Sequence, residues 1–315
     1  MAALRSLLPP LEGGVEDLLL PLYQGLTLIA LRLAAEKLLV PRLRRALKSR
    51  APAAAAGAGA GAGGRGSDRR AERVVDNAFL VLFIAPLSAW GWWVMLRHNG
   101  PCTPSSTRGC LEGWPGHPVT PEFRLWWLSL GGLYAGEMIG TLLGGVGFKL
   151  GLDMLIHHVL TVWLMLYAYF GGLHRYGTLA TAIFDTSNTF LHAAKALHET
   201  GLPSLGLAAD ALFKLFAAVF FAVRVAMPPF CMLAPGLDYG RVLPPVTYAV
   251  TNGLMLSVYV MQLNWFYKIV RIARGGAVEH GAGPKTKAAA AAPPSGAAGA
   301  LPPPAAAAAG GVKSE

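Results

Sequence analysis

The tightest constraint on this chain is a recurrence of apolar segments, each about 20 residues long, the length a helix needs to cross a bilayer. They recur from residue 16 to residue 271. Lipid offers backbone N–H and C=O groups no hydrogen-bond partner, so such segments must satisfy themselves as helices. The charge content agrees. Only 14% of residues are charged and 54% are hydrophobic, whereas roughly 25% are charged in an average soluble protein. The sequence therefore predicts an all-α polytopic transmembrane helical bundle of about six or seven spans.

The spans are expected at 76–96, 125–147, 152–172, 177–197, 206–227 and 245–270, with the 206–227 span stopped by Pro228 and Pro229. A weaker first segment, 16–40, is interrupted by Glu16, Asp17, Arg32, Glu36 and Lys37. It is either a span with polar ends or an interfacial helix. The leading residues carry one Arg and no small-residue cleavage site before Glu12, so this segment is expected to stay attached. The organisation is then a hydrophobic segment with a basic flank (1–50), an Ala/Gly linker (51–70), a transmembrane domain (71–271) and an Ala/Pro/Gly tail (272–315). The tail has too few large apolar residues to bury a core and is expected to be disordered.

The formal charge of +10 would favour nucleic acid in a soluble protein. Here the basic residues flank the spans, which the positive-inside rule explains without a nucleic-acid partner. No zinc pattern, Walker loop or dinucleotide fingerprint is present, and Gly57–Gly66 reads as flexible linker. The stretch 41–75 holds nine Lys or Arg and is placed in the cytosol. Alternation then puts the N-terminus and residues 97–124 outside, and Lys149 and the C-terminal tail in the cytosol. Cys102 and Cys110 share the outer loop with seven residues between them. An oxidising lumen permits a disulfide there, the alternative being two free thiols. Cys231 would stay unpaired.

Charges at bilayer depth are costly, so an ionisable residue inside a span is a functional candidate. On 177–197 the polar residues Thr178, Thr181, Asp185, Asn188, His192, Lys195 and Glu199 step by 3 and 4 alternately. That is one stripe along a helix, which must face protein or water. It is either a functional wall or a polar seam that packs helices. On 152–172, Asp153, His157 and Thr161 share a face and His158 lies about 100° round. A neutral imidazole can take a proton near pH 7 or accept an acyl group. Ligand spacing for a metal is absent, so no metal site is expected. Tyr134, Glu137 and Thr141 share a face of the third span, as do Asn252, Tyr259 and Gln262 on the last. Asp210 and Lys214 read as a structural pair, and Arg224 lies deeper, where it can meet an anionic group. Such helices can enclose a polar cavity with apolar walls, suited to an amphipathic lipid.

His157-His158-x-x-Thr161, Arg175-x-Gly177, Asp185-x-Ser187, Leu191 and Lys195 resemble, without a gap, the Lag motif of the TLC-domain family, and within it the ceramide synthases. Trp114-Pro115, Tyr134 and Glu137 resemble that family's third-span approach, and Trp265-Phe266-Tyr267 its last helix. Arg32 to Arg45, with Glu36-Lys37-Leu38, resembles the segment that precedes the domain, so the likeness covers about residues 30–271. The resemblance implies acyl-CoA-dependent N-acylation of a long-chain (sphingoid) amine in the endoplasmic reticulum membrane. Its partners would be membrane lipids, the amine, and acyl-CoA as co-substrate with no further cofactor, and a homo-oligomer is compatible. It implies catalytic roles for His157, His158 and Asp185, and substrate contacts from Glu137, Thr161, Asn188, His192, Lys195 and Arg224. Three positions depart from the pattern. The usual histidine before the aspartate is Phe184, the usual acid three positions after it is Asn188, and the usual glutamate after Leu191 is His192.

These departures leave a second reading open, a non-catalytic TLC protein that binds lipid and senses or regulates membrane composition. A transporter or translocation accessory is a third class, but neither an inverted repeat nor a broken helix pair supports it.

Overall fold

The structure is a computed structural model and describes residues 14–50 and 60–274. Residues 51–59 of the linker and 275–315 of the tail lie outside the described residues. The Ala/Gly stretch, expected as flexible linker, is already helical from Ala60 despite its glycines, which are poor helix formers.

The described residues fold as α1 (Leu19–Arg50), α2 (Ala60–His98), α3 (Pro121–Leu142), α4 (Leu152–Phe170), α5 (His174–Glu199), α6 (Pro203–Phe220), a short α7 (Ala234–Asp238) and α8 (Pro245–Ala273). They are all-helical, as the apolar segments require. Five stretches are long and apolar enough to cross a membrane. They lie along α1, the part of α2 from Arg69, α4, the run from α6 through α7, and α8. The 16–40 segment is thus part of a helix of spanning length. α3 and α5 fall short of that apolarity because neighbours, not lipid, cover them. Eleven of the 22 residues of α3 and eleven of the 26 of α5 are buried, against five of 19 in α4. Exposed apolar side chains, among them Leu82, Leu152, Trp163, Leu207, Phe230 and Val260, face outward, as lipid contact demands.

Two close helix crossings follow from glycine. Gly25 of α1 meets Gly136 of α3 so tightly that a Cβ on Gly25 would lie 2.9 Å from the Gly136 nitrogen. Gly132 and Gly136 form the small-xxx-small spacing that lets backbones approach where lipid supplies no hydrophobic drive. Gly177 of α5 lies under Trp127 of α3, and a Cβ there would sit 2.8 Å from the indole ring.

The sequence predicts a helix end at Pro228 and Pro229. The chain instead winds on, through π-helical turns at Phe221–Ala226 and Pro229–Leu233, before α7. Pro228 and Pro229 supply no backbone N–H, and a widened turn absorbs this without breaking the helix. The first of these turns carries Arg224 inward.

The loop 99–120 is tied to the start of α5. Cys102 and Cys110 form a disulfide, and Asn99 Nδ2 donates to the carbonyls of Cys102 and Arg175. Arg175 Nη1 donates to the Gly109 carbonyl and Trp114 Nε1 to that of Gly171. In this loop burial holds the His117 ring below the ordinary histidine range.

Candidate functional site

Successive residues of a helix point about 100° apart, so the adjacent histidines of α4 diverge. His157 faces a cavity. Its Nδ1 lies 3.4 Å from Thr161 Oγ1, and Trp265 of α8 stands edge-on against the ring at 4.9 Å. His158 turns towards α3 instead. Its Nε2 is 2.9 Å from Glu137 Oε2 and its Nδ1 is 2.9 Å from the Met154 carbonyl. A carbonyl only accepts, so Nδ1 carries a hydrogen. The remaining contact then needs one proton, held either by the imidazole or by Glu137. Both side chains are buried.

Asp185, from the middle of the α5 stripe, accepts at Oδ1 from Tyr134 Oη at 2.8 Å. Asn188 Nδ2, one turn on, lies 3.4 Å from the same oxygen. Asn188 Oδ1 in turn accepts from Arg224 Nη2 at 2.7 Å. Gln262 Oε1 of α8 accepts from Arg224 Nη1 at 2.9 Å. One hydrogen-bonded chain thus joins α3, α5, the π-helical turn and α8. The His158 ring lies beside it, 5.0 Å from that of Tyr134.

The cavity enclosed here measures about 70 Å³. Tyr134, His157, Thr161, Asp185 and Arg224 form its polar side, while Trp127, Leu164, Met165, Phe184, Met255 and Val258 form much of the apolar wall. A second, apolar groove of about 190 Å³ between α1, α3 and α4 shares Trp127 and Met165 with it.

Not every sequence-predicted residue arrives at the cavity. His157, Thr161, Asp185 and Arg224 do. Glu137 and His158 pair behind Tyr134, and Asn188 bridges Asp185 to Arg224. His192 is drawn away from Asp185, with Nδ1 2.9 Å from Asn77 Oδ1 of α2. Lys195 is exposed further along α5. A stripe on one helix spans several neighbours, and only its first half adjoins this cavity. Tyr134 and Gln262 were legible as polar residues on otherwise apolar faces, but nothing in the sequence paired them with Asp185 and Arg224. Among the described residues no cluster of three His, Cys, Asp or Glu could hold a metal ion.

Residues 73–271 match the TLC domain. The chain is similar to ceramide synthase 5 of Homo sapiens, 29% identical over 168 residues, 53% of this chain and 42% of that protein. It is similar to Alternaria stem canker resistance protein 1 of Solanum lycopersicum, 28% identical over 177 residues, 53% of this chain and 56% of that one. Ceramide synthase LOH2 of Arabidopsis thaliana is 26% identical over 166 residues, 50% of this chain and 55% of that one. The chain spans about half the length of the curated relatives it matches. The domain match over most of the bundle, together with a Lag-type His157-His158 pair beside Asp185, decides the classification: the chain is a multi-pass membrane protein and belongs to the TLC-domain family.

Proposed function

We propose that the protein is a ceramide synthase-like N-acyltransferase that moves an acyl chain from acyl-CoA to a long-chain (sphingoid) amine in the endoplasmic reticulum membrane. The observation that carries this reading is the cavity where His157, Asp185 and Arg224 meet against apolar walls. The amine nitrogen attacks the thioester carbonyl carbon and the C–S bond breaks. The arriving ammonium first loses one proton through His157 to solvent, which frees the lone pair that attacks. The second nitrogen proton then passes through His157 to the leaving sulfur, so CoA departs as the thiol. His157 is the imidazole within reach of substrate, so it takes the base role, with Thr161 and Trp265 holding its ring. Asp185 serves as counter-ion to the arriving ammonium, and Arg224 stabilises the oxyanion that forms at the carbonyl. The Glu137–His158 pair backs Tyr134 and acts as a positioning element. The alkyl tails follow the apolar wall.

The basic stretch 41–75 and the C-terminal tail are cytosolic on this reading. A tag inserted near Ser67 should then be cleaved by protease added to sealed microsomes.

A specific observation favours a second reading, lipid binding and sensing without turnover. Phe184 forms part of the cavity wall at the position where the family's usual histidine would supply another imidazole. Purified full-length protein, offered a panel of acyl-CoAs and long-chain amines, separates the two. Thiol release with amide formation supports the enzyme. Folded protein that turns over none of the panel leaves the binding reading standing.

A further inference from the structure

Arg224 is the least compensated charge in this network. Its side chain is buried, yet its hydrogen-bond acceptors, Asn188 Oδ1 and Gln262 Oε1, are both neutral amides. Nε is buried and has no partner. The Phe220 ring lies 5.2 Å from the guanidinium carbon and covers it without neutralising it. Asp185 is the acid on the neighbouring helix, but its Oδ1 is occupied by Tyr134 and Asn188. No ion pair joins it, or any other carboxylate among the described residues, to Arg224. A buried cation with no ion pair is costly and draws an anion. Arg224 borders the cavity.

We propose that this cavity holds the head group of a long-chain carboxylate on the Nε edge of Arg224, with its alkyl chain passing Trp127 and Met165 into the adjoining apolar groove. Three features choose this ligand. The guanidinium presents parallel N–H donors to a planar, two-oxygen acceptor. The other walls are mostly apolar, so the ligand carries a hydrocarbon chain. A single guanidinium with the Asp185 carboxylate close by matches a monoanion better than a phosphate monoester, which carries more than one negative charge. Asn188 is what leaves the site open. An acid at that position, 2.7 Å from Nη2, would neutralise Arg224 within the protein. The inference concerns binding alone and does not depend on acyl transfer.

The test is saturation binding of tritiated palmitate to the full-length protein in nanodiscs of uncharged lipid, with hexadecanol and hexadecyl phosphate as competitors. Saturable palmitate binding is expected. Hexadecanol should compete at least roughly tenfold more weakly, as the loss of a charge-assisted contact implies. Arg224→Gln and Asn188→Asp should each weaken palmitate by a similar factor. Asn188→Asp keeps the guanidinium and the side-chain size, so it remains informative if Arg224→Gln fails to fold, and thermal unfolding of both variants checks this. Absence of saturable binding, equal competition by hexadecanol, or wild-type affinity in the folded variants would overturn the proposal. Tighter binding of hexadecyl phosphate would overturn the assignment to a carboxylate.

Discussion

Two buried carboxylates of this protein live in opposite circumstances. Asp17, in the turn leading into α1, is saturated: one oxygen pairs with Arg124 of α3, and the other accepts from Tyr169 Oη of α4 at 2.6 Å. Asp185 and Arg224 share a network but no ion pair, and a neutral amide separates them. The first cluster balances its charges internally and pins three elements together. The second leaves charge facing a cavity. A burial pattern alone would rank the two alike. What separates structural from functional charge is whether the partners are all within the protein.

The largest effect should come from the cavity side. His157→Ala and Asp185→Ala should each lower amine acylation by roughly 100-fold or more, the range for losing an acid–base or charge-stabilising group. The melting temperature should change little in His157→Ala and fall in Asp185→Ala, which leaves the buried Tyr134 hydroxyl without its acceptor. Turnover and thermal unfolding measured on the same preparations check this. If instead both variants unfold while turnover per folded molecule stays normal, the two clusters are alike and the distinction collapses.

Asp17→Ala should do the reverse. It leaves the Tyr169 hydroxyl and Arg124 without their acceptor, at a cost of about 1–3 kcal/mol, and should lower the melting temperature while turnover per folded molecule holds. A normal melting temperature would show that Asp17 is not the pin described here. Gly177→Ala lies between the two classes. Its new methyl must displace the buried Trp127 ring, which also walls the cavity, costing about 1–3 kcal/mol as overpacking does. Stability and turnover should fall together.

The smallest effect is expected from Phe184→His. Another imidazole in the wall should raise acylation only modestly, because His157 already fills the base role. Activity that exists only in this variant would sharpen the comparison differently, by marking the natural chain as a binder whose chemistry has lapsed.

The helices and the α5 stripe were legible because their periodicity is a property of the chain itself, and the neighbouring histidines and Asp185 fell within recognisable spacing. The stripe could not reveal which neighbour each residue meets. His192 carries the same signal as Asp185, yet it belongs to Asn77 and α2. Nor could adjacency in sequence disclose that His157 and His158 serve different partners, although the 100° step hinted at it. The π-helical turn beyond α6 was unreadable for a different reason. Proline marks a lost donor, but whether the chain stops or widens depends on what packs around it. Gly132 and Gly136 were in plain view among many glycines, and only contact with Gly25 gives them meaning.

The Gly25 contact also bears on where this protein can be cut. The TLC-domain match begins at residue 73, and a truncation designed from that boundary would discard α1. It would leave the notched face of α3 against lipid, with nothing to fill the space at Gly132 and Gly136. It would also strip Arg124 and Tyr169 of Asp17. α3 supplies Tyr134 and Glu137, so a shortened protein would lose the support of a cavity wall rather than a dispensable leader. The smallest fragment worth expressing therefore starts before Asp17, well upstream of residue 73.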